Sequence, residues 1–379
     1  GEIKNLCINN TFYSQCDVGK LCEVNDGKIA NCTIESDFQV TLDNVCRRSY
    51  DGTERTSGVI CHYNNGLIED CDISNTEVNS WGCGGKCKDN YNKVGGICIV
   101  NDGTIQDCTV GDSKLAGEKY SSGICDENTG VISECDVYDT IVDGEESANG
   151  ICRENDGEIS ECKIHNTEFT SEVNSSGISS SNTGVISNST VSDSKMKGKE
   201  YSVGISRYNF KTIRKCTVKG CNLESKKASG LVAVNSHSIY ESKVSKTELK
   251  AGGTFYGLCI YNEGTLTQSE LSNSTLISTD ENNMNNGGLV GENPGEVSNC
   301  VLVDIDTNYK HNLKLLAISN SGTIKQCIID TDEIVPDIVV DGDGKVESCM
   351  VVSDFDSKGF RGGISTAQSL DKAKTLAFL

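Results

Sequence analysis

The residues with most chemistry to offer in this 379-residue chain are its 21 cysteines, since a thiolate can act as nucleophile, redox partner or ligand for a soft metal. Most fall in two columns about a recurring glycine. Five residues before it stand Cys22, Cys61, Cys98, Cys125, Cys152 and Cys259; five after it stand Cys32, Cys71, Cys108, Cys135, Cys162, Cys216, Cys300, Cys327 and Cys349. Cys7, Cys16, Cys46, Cys83, Cys87 and Cys221 remain. So many thiols in a polar chain point to an oxidising exterior and a disulfide framework. Units that carry both columns (22/32, 61/71, 98/108, 125/135 and 152/162) are expected to pair within the unit. Cys300, Cys327 and Cys349 lack a same-unit partner and are expected to pair with the units stacked on them.

Metal ligation and unpaired thiols are the alternatives. The one close cluster is Cys83-x-x-x-Cys87, with no second pair at zinc-finger spacing and only 4 His in the chain. No cofactor or metal is therefore expected. The total is odd, so at least one cysteine lacks a partner within the chain; Cys46, Cys83 and Cys87, in insertions, are candidates for bonds between molecules. Cys83 and Cys87 closing their own loop is the simpler alternative.

Carboxylates number 55, and a trio such as Asp136, Asp139 and Asp143 has the makings of an acid and a base. In so acidic a chain a solvated face is the plainer reading; no catalytic set stands out and no enzyme is expected. Asp341 and Asp343, in Asp341-Gly342-Asp343-Gly344, offer hard oxygens to calcium or form an ordinary turn. Asn9, Asn31, Asn174, Asn188 and Asn273 stand in glycosylation sequons. One Trp and 8 Phe, in no column, give little platform for sugars.

The element that must position these residues is a repeat. In Gly123-Ile124-Cys125-Asp126-Glu127-Asn128-Thr129-Gly130-Val131-Ile132-Ser133-Glu134-Cys135-Asp136-Val137, an apolar strand, an Asn-x-Gly turn and an alternating strand follow one another, with Asn and Gly expected to supply positive φ. Variants return with a period of 27 from Gly1 to Gly344. Insertions near 39–57 and 79–92 interrupt it, a smaller one spans Asp280 to Asn286, and residues 363–379 carry apolar groups at helical spacing, read as a cap on a repeat domain of 1–362. A hairpin array would suit Asn-Gly, but a fixed period favours stacked coils. The expected fold is all-β, a parallel β-helix of about 13 coils.

Gly287-Gly288-Leu289-Val290-Gly291-Glu292-Asn293-Pro294-Gly295 and Gly257-Leu258-Cys259-Ile260-Tyr261-Asn262-Glu263-Gly264 resemble the GLUG-type repeat of bacterial and archaeal surface proteins. In general character, small, acidic and cysteine-rich, the chain is also similar to the cell-sheath proteins of filamentous methanogenic archaea. These resemblances imply an extracellular β-solenoid used in a cell envelope or in adhesion.

Charge and hydropathy agree. A net charge of −21 disfavours nucleic acid and anionic membranes, and no 18-residue apolar run is present to span a bilayer. The chain opens at Gly1 inside a repeat, as expected after removal of an export signal, and the half coil there, with Ile3, Leu6 and Ile8, is expected to offer an edge with no charged or proline-rich cap before it. The expectation is a secreted structural protein that self-assembles, by β-edge stacking and disulfides, into a sheath or surface layer with itself and other envelope components as partners. The alternative is an adhesin displaying its insertions.

Overall fold

The computed structural model describes residues 1–8, 18–19, 21–41, 56–80, 92–280, 286–308, 313–330, 342–352 and 364–367. The chain divides into two compact units, Gly1–Lys199 and Glu200–Leu379. Each is a stack of parallel coils with three sheets, and no helix occurs among the described residues.

The coil containing the opening motif shows how the sequence makes a turn. Val131–Ser133 lies in the first sheet, Asp136–Tyr138 and Ile141–Gly144 in the second with Ser147–Asn149, and Cys152–Asn155 in the third. Strand alternation sends one face inward, so the central residue of each first-sheet strand forms a buried column: Ile29, Ile68, Ile105, Ile132, Ile159 and Ile186. Register is exact in chemical type, with Ile105 opposite Ile132 and Ile132 opposite Ile159. Val110, Val137, Ile164 and Val191 form a second column in the same way. Burying each such side chain contributes roughly 2 kcal/mol, and only neighbouring coils are needed to do it.

All of these pairings are parallel, which decides for stacked coils over a hairpin array. Among the described residues first-sheet strands number seven in the first unit and six in the second, third-sheet strands six and five. The described residues therefore form a solenoid of about ten turns, fewer than the about 13 coils counted from the repeat.

The turn chemistry differs from expectation. Positive φ is absent at Asn128 and Gly130 and falls instead at two corners per coil, for example Glu134 (φ 55) and Asp139 (φ 47). The glycine is required by proximity: a Cβ on Gly130 would lie 2.0 Å from the carbonyl oxygen of Gly103 in the preceding coil. The tail read as a helical cap opens with a strand, Ile364–Ala367, paired with Cys349–Val352; residues 368–379 lie outside those described. Most of both large insertions, at 42–55 and 81–91, lies outside them too.

Candidate functional site

Most corner residues of positive φ are followed by a small side chain that turns inward and bonds to the carbonyl two residues back; Asn5 and Asp304, followed by Leu6 and Ile305, are exceptions. At the first corner this is Cys in most coils: Cys108 Sγ donates to Gln106 O at 3.2 Å, Cys135 to Ser133 O at 3.3 Å and Cys162 to Ser160 O at 3.4 Å. Where serine replaces it the bond is kept, as in Ser189 to Ser187 O (2.9 Å) and Ser242 to Tyr240 O (3.2 Å). At the second corner Thr140 donates to Tyr138 O at 2.7 Å and Thr167 to His165 O at 3.0 Å. The five-after column is thus a set of corner donors in which thiol and hydroxyl interchange.

The five-before column opens the third-sheet strands or, at Cys98 and Cys125, stands just before them. Cys61, Cys98, Cys125 and Cys152 are fully buried and Cys22 partly so, and Cys22 stands opposite Cys61 in register. The thiols that hydrogen-bond are those of neighbouring coils, Cys22 with Cys61, Cys61 with Cys98 and Cys98 with Cys125, and in the other column Cys71 with Cys108 and Cys108 with Cys135; within a coil Cys98 and Cys108 interact through charge alone. No disulfide, within a coil or between coils, joins the described cysteines. All described cysteines are thiols, Cys300, Cys327 and Cys349 included. Strands about 4.8 Å apart bring stacked cysteines within the Cα distance that a disulfide also uses, yet none joins Cys300, Cys327 and Cys349. Burial pushes the Cys259 thiol up to about 12, its backbone hydrogen bonds opposing the shift. Cys46, Cys83 and Cys87 lie outside the described residues.

The asparagine of Asn-x-Gly forms a ladder. In the first unit Asn25 Nδ2 donates to Asn64 Oδ1, Asn64 to Asn101, Asn101 to Asn128, Asn128 to Asn155 and Asn155 to Asn182, each at 2.7 or 2.8 Å. In the second unit Asn209, Asn235, Asn262, Asn293 and Asn320 do the same. Each side chain also reaches a backbone carbonyl in the next coil, as Asn128 does at Glu158 O (3.4 Å). A buried amide would be costly alone; in the ladder its donor and acceptor are both met.

A charged cluster in the first unit had no sequence prediction. Asp126 is fully buried, with Arg153 Nε at 2.9 Å from one oxygen, and Arg153 Nη2 at 3.0 Å and Lys93 Nζ at 3.2 Å from the other. Arg153 also meets Glu127 and Glu154 and lies 4.6 Å over the Tyr120 ring, whose hydroxyl donates to Glu146 at 2.8 Å. Burial opposes the charge on Lys93, but the Asp126 and Glu127 carboxylates outweigh it and hold the ammonium above its ordinary value. The readable signal was Arg153 standing one period after Asp126.

The carboxylates considered for catalysis do not form a set. Asp136 lies 3.3 Å from His165 Nε2, Asp139 occupies an exposed corner, and Asp143 is half-buried, which raises its pKa. Beside the first corner, Asp107, Glu134, Asp136, Glu161 and Lys163 line an open groove of about 570 Å³. Among the described residues no three His, Cys, Asp or Glu are arranged to hold a metal ion. Asp343 is exposed, and Asp341 lies outside the described residues.

Of the sequons, Asn31, Asn188 and Asn273 are exposed corner residues at φ 51, 51 and 48. Asn174 is buried, its amide donating to Ser147, Ser176 and Ser180, which removes it as a glycan acceptor in the folded chain. Asn9 lies outside the described residues. No protein-family model matches the sequence, and no curated protein is significantly similar to it.

Proposed function

We propose that this chain is a structural protein of a cell envelope, secreted to the cell surface, where it assembles with copies of itself into a sheath or surface layer. The observation that carries the reading is the use made of its chemistry. Column cysteines, ladder asparagines, corner serines and threonines and the buried Asp126 all join one coil to the next. What such a chain offers outward is a surface repeating at the strand spacing, suited to regular contacts with further copies.

In this reading strand edges seed end-on association. Covalent links between copies fall to cysteines outside the two columns, Cys46, Cys83 and Cys87 first among them. The chain is not an enzyme in this proposal and takes no cofactor. The test is electron microscopy and sedimentation of the purified protein, with denaturing gels run with and without thiol. Ordered polymers, and a ladder of bands that collapses on reduction, are expected. A monomer in every lane and at every concentration would overturn the structural reading and leave the adhesin in its place.

A further inference from the structure

In the second unit Arg207, on the strand Ser206–Asn209, lies between aromatic faces. Its guanidinium carbon is 4.3 Å from the centroid of Tyr201 and 4.8 Å from that of Tyr208. Lys227 Nζ is 5.5 Å over the Tyr201 ring. Phe210 stacks on Tyr208 at 6.0 Å and is 49% exposed. Arg207 Nε is buried and has no hydrogen-bond partner.

The repeat supplies a filled counterpart. Arg153 stands two periods of 27 before Arg207, and Tyr120 three periods before Tyr201. There the fork is saturated by Asp126, Glu127 and Glu154. Two periods on, those positions hold Ser180, Ser181 and Tyr208. The cation is kept, its aromatic wall now comes from its own coil (Tyr201 and Tyr208) rather than from the coil before, and every carboxylate at these positions is gone. A buried donor without a partner is costly, and a guanidinium fork is shaped for a planar pair of oxygens.

We propose that Arg207 and Lys227, walled by Tyr201, Tyr208 and Phe210, bind the carboxylate of an acidic sugar within an anionic polysaccharide. Carboxylate is favoured over phosphate because the equivalent fork in this same chain is filled by carboxylates. The aromatic wall, exposed at Phe210, suits the apolar faces of pyranose rings. A polymer is favoured because residues 201–250 carry 10 Lys and Arg against 3 Asp and Glu in a chain of net charge −21, and Lys211, Lys219 and Lys246 among them are exposed. This goes beyond self-assembly: it would tie the protein to a glycan.

The test is calorimetric titration of the full chain with polygalacturonate, with dextran as the neutral polymer and oligothymidylate as the phosphate polymer. Polygalacturonate should bind and the other two should not. Arg207→Gln should weaken binding at least tenfold, and Phe210→Ala several-fold. Tyr208→Glu should abolish it by setting a carboxylate on Arg207 as Glu154 sits on Arg153, and should leave the melting temperature unchanged or higher, so that loss there is not loss of fold. Equal affinity of the wild type and both the Arg207 and Tyr208 variants, equal binding of dextran, or preference for oligothymidylate would each overturn the proposal.

Discussion

Cys135 and Ser242 stand at equivalent corners and make the same bond, to Ser133 O and Tyr240 O, and Ser242 Oγ also accepts from the Cys216 N–H at 3.3 Å. What the corner needs is a small inward side chain with one proton to give, so Ser242→Cys should cost under about 1 kcal/mol while Ser242→Ala, losing both bonds, should cost about 2 kcal/mol. Urea unfolding measures both, and equal losses would refute the shared role. The sequons follow from the same corner rule, because a left-handed Asn, an inward Cys or Ser and an outward Thr spell Asn-x-Thr at Asn31, Asn188 and Asn273. The thiols also set an alkaline limit. The folded state raises the Cys259 pKa from 9.0 to about 12 and so favours the neutral form. Its contribution is complete below the unfolded value and is lost as pH rises from about 9 through 12, the unfolded thiol ionising first. The melting temperature should fall across that window, and Cys259→Ala should reduce the fall; an identical slope in the variant would remove Cys259 as a cause.

At the scale of the coil, the asparagine ladder is the part most exposed to a single change. Asn128→Ala breaks the bonds from Asn101 and to Asn155, both in a dry interior, and should destabilise by roughly 3 kcal/mol. Asn25→Ala breaks one ladder bond at a less buried position and should cost about half that. Chemical unfolding of the two variants decides it: equal costs would mean that the ladder does not act through its bonds. The coil was legible in the sequence because stacking returns one chemical type to one column, and Ile105, Ile132 and Ile159 announce that directly. The role of Asn-x-Gly was not. Asn and Gly are the usual residues of positive φ, and nothing local distinguishes an asparagine that shapes a turn from one that bonds to the next coil. The left-handed residues stand at the corners instead; many are Asn or Asp, as at Asn31, Asp107 and Asn188, but Glu134, Glu161 and Lys215, poor candidates by type, take the same conformation, each beside the inward bond of the residue that follows. The Arg153 cluster escaped notice for a related reason: Asp126, Tyr120 and Lys93 come from coils 27 or more residues before Arg153, and only stacking of the coils brings them together.

For the whole chain the unsettled quantity was the state of its sulfur. Column spacing in the sequence suits a disulfide framework as well as a stack of thiols, because it records that cysteines recur and not which neighbour each one faces. The fold favours the thiol stack: the hydrogen-bonded thiols belong to successive coils, and the described first-corner cysteines donate to a carbonyl. Folding then needs no oxidant, and the column thiols are shielded by burial rather than by bonding. Of the described cysteines Cys7 is exposed, Cys22 is intermediate, and the others are buried. Alkylation of the native protein followed by peptide mapping should label Cys7 early and leave Cys125, Cys135, Cys152 and Cys162 unmodified for as long as the coils stay closed. In urea without reductant the same four should be alkylated in full, and a reductant added to the native protein should leave its melting temperature unchanged. Recovery of Cys125 joined to Cys135, or Cys152 joined to Cys162, from the urea sample would refute the thiol stack. Rapid native labelling of the four would refute the closed coil. If both tests hold, a thiol-sensitive link found in an assembled polymer must come from cysteines outside the columns, so mapping of that polymer should find its bonds among Cys7, Cys16, Cys46, Cys83 and Cys87.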